Sequence, residues 1–365
     1  MTATVLRGAR VFDGTGFGAP VDVAWAEGTI VFSAPPGAEE VDSTGGFLIP
    51  GLIDCHIHLA GPETLTELTA HGVTTALDMS SPAPLVAALR GTPGVTDIRS
   101  GIMATTSPGS AHAARMKSIP AAQEALVAGP GDAEAAVARR VAQGADYIKI
   151  VIDLPGFDDE TVQALVTAAH ARRLKTVAHA SRSDAVAMAQ RTGVDVFTHA
   201  PLDRPITPEQ AAELAAAGVV VVPTLVMMRG IVDRIGAAGG PGPRYEPARE
   251  SVRVLHDAGV PVLAGTDANR TPAAPASPPF GTSLHDELAL LVDAGLTPAE
   301  ALRAATSDAA AHFDLPDRGR IAPGMRADLV LLEADPATDI SATRRIRGVW
   351  VGGERVDGKD ESHRS

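Results

Sequence analysis

His56 and His58, in the stretch IPGLIDCHIHL at Ile49–Leu59, can grip one cation between them. Residues two apart on a strand project to the same side, so the two imidazoles face one way, with Asp54 in the same column and Ile53, Cys55 and Ile57 on the alternate positions. A lone HxH pattern reads more readily as two ordinary hydrogen-bonded strand histidines, since short motifs match by chance. Further along, metal-binding residue types recur on successive β-type runs: Lys149 in DYIKIVID, His179 closing KTVAHA, His199 closing VFTHA, and Asp267 after VLAGT. Taken singly, His179 and His199 fit satisfied core histidines, and Asp267 a cap or turn residue. Taken together, six candidates at five strands, drawn from a chain with 11 histidines, point to a nitrogen-and-oxygen site that binds metal and activates water.

Lys149 carries the most specific chemistry. It shares strand parity with Tyr147 and Val151, while Ile148 and Ile150 take the other face, and both faces of a barrel strand are buried. A buried ammonium lacks hydration and must be paired, neutral or modified. A neutral lysine amine can take up carbon dioxide to become a carbamate, an anion whose two oxygens can bridge two cations. The plainer alternative is an ion pair with Asp146 or Asp153. Asp54 is placed to orient the His56 ring as a hydrogen-bond acceptor.

The elements that must position these groups follow from periodicity. Short β-type runs alternate with Ala-rich amphipathic stretches, the pattern of βα units around a parallel sheet. The spacing predicts strands at Leu52–His58, Val73–Met79, Asp97–Ala104, Tyr147–Ile152, Lys175–His179, Val194–His199, Val219–Leu225 and Val260–Thr266. Helices are expected between them, including Asp132–Gln143, Asp159–Arg172, Ser183–Arg191 and Pro208–Ala217, several opened by Asp, Ser or Thr and closed near Gly. Eight such strands fit a (β/α)8 TIM barrel, whose catalytic groups sit at the C-terminal strand ends. The two chain ends differ in texture. Thr4–Phe47, and ADLVLLEAD with RIRGVWVGGERVDG near the C-terminus, carry alternating apolar runs split by turns. Neither end alone is a stable sheet, so the two are expected to pair as one small β-sandwich. This gives residues 1–48 and 319–365 as the sandwich and 49–318 as the barrel. The polar tail after Val356 is expected to fray.

Composition narrows the partners. With 365 residues and 45% hydrophobic content the chain can bury a large core, but aromatics make up 3%, so its volume comes from Ala, Val and Leu. A net charge of −13 argues against nucleic acid or an anionic membrane and for a small-molecule substrate. Cys55 is the sole cysteine, which excludes internal disulfides and argues against a thiolate zinc site. The start, MTATVLRGARVFDG, offers no apolar signal core, and no run suits a bilayer span, so the sequence reads as cytoplasmic. A homo-oligomer is compatible with all of this.

The chain resembles the amidohydrolase superfamily, in the branch of imidazolonepropionase-like proteins and Xaa-Pro dipeptidases with a carboxylated lysine. The resemblance rests on IPGLIDCHIHL, HGVTTALDMS, GADYIKI, the strand-end histidines, LAGTDA, LHDELALLVDAGLTPAEALRAATSDAA and GRIAPGMRADLVLLEADP, which run in family order along the whole length. It implies a binuclear centre, with His56, His58 and Asp267 on one metal, His179 and His199 on the other, and carboxylated Lys149 bridging. Zinc is the expected metal, with manganese or cobalt as alternatives. The loop TTSPGSAHAARMK departs from the family in lacking a Gly-Gly-His run.

Two adjacent cations lower the pKa of a shared water, giving hydroxide near neutral pH that attacks a carbonyl. Asp267 would accept the proton and pass it to the leaving group, as catalytic acid and base. The expected activity is hydrolysis of an amide, in a peptide or an N-acyl amino acid. The alternatives are an esterase or lactonase, an isomerase or decarboxylase on the same scaffold, and a non-catalytic binding relative. Substrate contacts are expected from loops, with His112, Arg115 and Arg229 holding a carboxylate and Met228 meeting an apolar group.

Overall fold

The computed structural model describes residues 3–239, 242–272 and 274–356; the tail after Val356 lies outside them. The N-terminal part supplies strands β1 (Ala3–Val11), β2 (Val21–Ala26), β3 (Thr29–Val31), β4 (Glu39–Asp42) and β5 (Phe47–Pro50). The middle supplies β6 (Leu52–Ile57), β7 (Val73–Asp78), β8 (Asp97–Ser100), β9 (Ile148–Val151), β10 (Thr176–His179), β11 (Val196–Thr198) and β12 (Val220–Val222). The C-terminal part adds β13 (Leu329–Leu332), β14 (Ile346–Val351) and β15 (Glu354–Val356).

The middle strands are parallel, in the orders β6-β7-β8 and β9-β10-β11-β12. Helices run between most of them, as expected where periodicity switches from two to about 3.6. Observed bounds of Ala133–Ala142, Asp159–His170, Ser183–Arg191 and Pro208–Ala216 match the expected helices to within two residues at each end. Asp158 and Thr207 cap two of them by accepting from the amides of Thr161 and Gln210. The two parallel groups meet where Thr105 N–H donates to Lys149 O at 2.8 Å and Val151 N–H donates to Thr105 O at 2.8 Å. Single pairings of Val221 with Val262 and Ile57 with Ala268 carry the next segment between β12 and β6. The result is a TIM-barrel-like α/β arrangement.

The expected eighth strand, Val260–Thr266, differs from a regular one. It is held by Val221 N–H to Pro261 O at 3.0 Å, Leu263 N–H to Val221 O at 2.9 Å and Cys55 N–H to Ala264 O at 2.9 Å, without a continuous ladder. Pro261 has no N–H to give, and Gly265 serves close approach: a Cβ there would stand 2.4 Å from Val222 Cγ1 and 2.9 Å from His56 N. The alternation expected along β6 also breaks. Ile53 and Cys55 join an apolar cluster with Tyr147, Val177 and Leu263, whereas Ile57 joins the cluster shared with the helices. The register of β6 against β7 shifts between Asp54 and Ile57, and such a shift re-aims the side chains that follow.

The chain ends pair in one eight-stranded mixed sheet of order β15-β14-β13-β5-β1-β2-β3, with β4 beside β1. Its apolar cluster joins Leu6 and Trp25 from the N-terminal part to Leu329 and Trp350 from the C-terminal part, the two indoles 5.7 Å apart at 68°.

A partly buried ion network ties this sheet to the parallel strands. Asp97, opening β8, takes Arg318 at 2.8 Å and Arg99 at 2.9 Å, with Arg326 at 3.6 Å. Burial alone would raise the Asp97 carboxyl, but Arg99, Arg318 and Arg326 outweigh it and hold it below 3.8. A carboxyl depressed on folding stabilises above its unfolded value and loses that contribution as pH falls through 3.8 toward the folded value. Asp97→Asn is therefore expected to cost about 2 kcal/mol near neutrality, less than the ~3–5 kcal/mol of a fully buried pair. Urea melts at pH 7 and near pH 3 check this, and a penalty unchanged at pH 3 would refute it.

Candidate metal and catalytic centre

His56, His58 and Asp267 meet where β6 ends. Asp267 Oδ1 stands 3.0 Å from His58 Nε2 and 3.4 Å from His56 Nε2. Asp267 itself is left-handed, at φ 56°, and its N–H donates to His56 O at 2.7 Å, which turns the carboxylate back over the histidines. The His58 Nδ1 faces the Ser80 carbonyl at 3.4 Å, an atom that can only accept, so His58 Nε2 is the nitrogen turned to Asp267. Burial lowers the His58 imidazole, but the Asp267 carboxylate outweighs it and the net direction is up. Burial holds the His56 imidazole well below its ordinary value, reinforced by Lys149, so this ring is neutral. Among the described residues its buried Nδ1 has no hydrogen-bond partner.

His199 completes the group: one ligand atom each from His56, His199 and Asp267 lie within 4.8 Å of one another. The His199 ring centroid is 5.0 Å from that of His56 and 4.4 Å from that of His179. Burial, then His179 and Lys149, drive the His199 imidazole well below its ordinary value, and burial with Lys149 does the same to His179. His199 Nδ1 is 2.7 Å from the Thr224 hydroxyl, which can accept from it and leave Nε2 bare. Neutral imidazoles and a carboxylate thus converge with an orphaned ring nitrogen among them. Such electron-rich convergence in a buried site fits a divalent cation.

Lys149 lies in the same cavity, 3% exposed, and donates to Thr198 Oγ1 at 2.8 Å. Neither carboxylate expected to pair with it does so. Asp146 binds Arg90 and the Ser100 amide, and Asp153 accepts from the His112 amide. Burial brings the lysine down to about 7. Asp54 also departs from its expected role. Its carboxylate accepts from the amides of His56 at 3.1 Å and Thr266 at 3.0 Å and from the Thr266 hydroxyl at 2.7 Å, so it fixes two backbones and leaves the His56 ring alone.

The cavity above these groups measures about 310 Å³. His112, Arg115 and Met228 line it together with Met79, Met116 and Met227. Arg229 does not: it lines a separate depression beside Asp233 and stacks over Tyr245 at 5.9 Å. The physical reason is helical phase. In the Leu225–Ala237 helix each residue turns about 100°, so Met227, Met228 and Ile231 share the arc that faces the cavity and Arg229 falls beyond it, exposed. Burial, reinforced by Arg115, lowers His112 to about 4, which makes it a neutral donor or acceptor.

Sequence reading missed Thr198, Thr224 and Ser80. Each is a hydroxyl residue or turn carbonyl lying beside a ligand in space, and only Thr198, next to His199, carried a positional hint. Two other histidines are engaged away from this group: His285 spans Thr343 Oγ1 and His71 O, and His170 pairs with Asp195.

A TIM-barrel-like α/β scaffold with a clustered imidazole, lysine and carboxylate centre defines a class, the metal-dependent hydrolases. Known proteins make it specific: the amidohydrolase family model matches residues 47–356, and the chain belongs to the amidohydrolase family, in its imidazolonepropionase-like branch. An imidazolonepropionase of Streptomyces coelicolor is 28% identical over 88% of this chain and 87% of its own length. An uncharacterized protein of Mycobacterium tuberculosis is also 28% identical, over 88% of this chain and 89% of its own. The fold is similar to that of a Xaa-Pro dipeptidase solved with methionine in its active site, at TM-score 0.85 and 21% identity, covering 98% of this chain and 100% of that one. Among the described residues no helix is long and apolar enough to cross a membrane.

Proposed function

We propose that this hydrolase cleaves an amide bond, in a dipeptide or an N-acyl amino acid, at a binuclear centre. His56, His58 and Asp267 would hold one cation, His179 and His199 the other, with carboxylated Lys149 between them. The domain reading that accompanies this is a closed (β/α)8 barrel over residues 49–318, flanked by a β-sandwich from the two chain ends, residues 3–48 and 319–356. One observation carries the reading: four imidazoles, Lys149 and Asp267 all line a single cavity. A bound cation pair would acidify water and polarise the scissile carbonyl.

The chain's own groups supply the rest. Asp267 accepts a proton from the attacking water and returns it to the departing nitrogen as the C–N bond breaks, so protons balance over the cycle. Met227 and Met228, both buried, offer an adaptable apolar wall to the acyl or side-chain group. Arg115 and His112 give the opposite chemistry, a cation and a neutral ring suited to a substrate carboxylate.

Metal quantification on protein purified with bicarbonate, followed by N-acyl amino acids, Xaa-Pro dipeptides, esters and lactones as substrates, tests this. Two equivalents of metal and C–N cleavage are expected. Fewer than one equivalent, unrescued by reconstitution, refutes the binuclear centre; turnover confined to esters or lactones refutes the amide assignment. Arg115→Ala should raise KM for carboxylate substrates roughly 10–100-fold and spare their amidated counterparts. Equal losses on both would count against carboxylate recognition.

A further inference from the structure

We infer that Glu287 is a positioning residue for His199, acting through Thr224: its carboxylate caps the helix that Thr224 precedes, which frees the Thr224 hydroxyl to set the His199 ring. The inference deepens the metal-site reading above and rests on it for its functional consequence.

A threonine immediately before a helix ordinarily adopts an extended backbone and caps the helix, its hydroxyl accepting from an amide of the first turn. Thr224 stands before the Leu225–Ala237 helix and does neither. Its backbone is left-handed, φ 48° and ψ 49°, and its side chain makes no cap hydrogen bond. A β-branched residue in that region is an outlier that the surroundings must impose.

The helix's first amides still need acceptors. Glu287 supplies them. It lies in the Thr282–Asp293 helix, fully buried, and accepts from Leu225 N–H on Oε1 at 2.9 Å and from Val226 N–H on Oε2 at 2.7 Å. With the cap provided from another helix, the Thr224 hydroxyl is released from that duty. It stands 2.7 Å from His199 Nδ1.

The same segment grips the His199 backbone. His199 is itself left-handed, φ 80°; its N–H donates to Val222 O at 3.1 Å, and Ala200 N–H donates to Pro223 O at 2.9 Å. Val222, Pro223 and Thr224 therefore bracket His199, and Glu287 anchors the far side of the bracket. A hydroxyl that accepts from Nδ1–H holds the ring in the tautomer whose Nε2 lone pair faces His56 and Asp267.

The test reads the tautomer directly, by proton–nitrogen NMR of the full chain with labelled histidine, as purified and after chelation, with His199→Asn assigning the signal. Wild type should show a protonated Nδ1 with slow solvent exchange. Glu287→Gln presents one oxygen and one NH2 group to two amides, so one amide loses its acceptor. Mixed tautomers and faster exchange are expected, with metal retention against a chelator reduced roughly 10–100-fold. A folded Glu287→Gln protein with the wild-type tautomer overturns the inference.

Thr224→Ser keeps the hydroxyl and should behave as wild type, whereas Thr224→Val keeps the branch and should lose the tautomer preference. Should Glu287→Gln fail to fold, this pair decides: equal behaviour of the two variants overturns the inference. Because the tautomer is also read without metal, a wild type that binds no metal would sink the binuclear reading and leave this one standing.

Discussion

Asp267→Asn is expected to lower amide turnover by about 10²–10⁴-fold, the range of a lost general acid–base group, while metal content stays near that of the wild type. The separation of the two effects follows from geometry. Asp267 holds φ at 56°, and asparagine tolerates the left-handed region as readily as aspartate. The main-chain bonds that set it, from its N–H to His56 O at 2.7 Å and to its carbonyl from Asn269 Nδ2 at 2.8 Å, do not involve the side chain. An asparagine carboxamide can still offer an oxygen where Oδ1 now faces the two histidines, so a cation keeps a ligand there. What the carboxamide cannot do is take up a proton near neutral pH. Elemental analysis beside kcat on the best amide substrate checks both halves. Full activity in the variant would refute the proton-transfer role; loss of metal together with activity would make Asp267 a ligand alone.

The variant has a second expected consequence. His58 is raised because the Asp267 carboxylate outweighs burial, so without that charge its imidazole should titrate lower. Histidine NMR on the same protein would show it.

Much of this centre was legible in the sequence because barrel geometry converts linear order into position. Lys149, His179 and His199 each sit on or just past a short strand flanked by helices, and a parallel sheet brings such positions to one end. The details that failed did so where a single residue departs from regular backbone. Strict alternation would place Ile57 with Ile53 and Cys55, but the register shift after Asp54 divides them. Asp54 looked like a ring acceptor because it is two residues from His56, yet two amides and a hydroxyl already claim its oxygens. Arg229 looked like a pocket residue because its neighbours are, but at about 100° per residue it falls outside the arc that Met227, Met228 and Ile231 turn to the cavity. Glu287 lies 62 residues from the amide of Leu225 that it caps, a relation no local pattern carries.

Lys149→Met is expected to abolish the paired centre, with metal falling from two equivalents to one or fewer and activity lost with it. The argument starts from what surrounds the side chain. Lys149 is buried, its hydrogen-bond partner is the neutral Thr198 hydroxyl, and Asp146 and Asp153, its neighbours in sequence, are committed elsewhere. A permanent ammonium in that position, facing imidazoles and with cations to follow, would be the worst charge for the site. Burial brings the amine to about 7, so near neutral pH far more of it is neutral than of an ordinary lysine. The neutral amine adds carbon dioxide at its nitrogen and releases one proton to solvent, leaving a carbamate anion with two oxygens.

The sign of the pH effect follows. Between about 7 and 10.5 the unfolded chain binds the proton that the folded chain has released, so the metal-free fold gains stability as pH rises through that window and loses it on acidification. Metal uptake in bicarbonate buffer should rise over the lower edge of the same window, and carbon dioxide removal before metal addition should suppress it. Native mass spectrometry, read for one added carbon dioxide per chain, measures the modification apart from the metal. Two equivalents of metal bound to the Lys149→Met protein, or uptake indifferent to carbon dioxide, would refute the bridging role and return Lys149 to a hydrogen bond with Thr198.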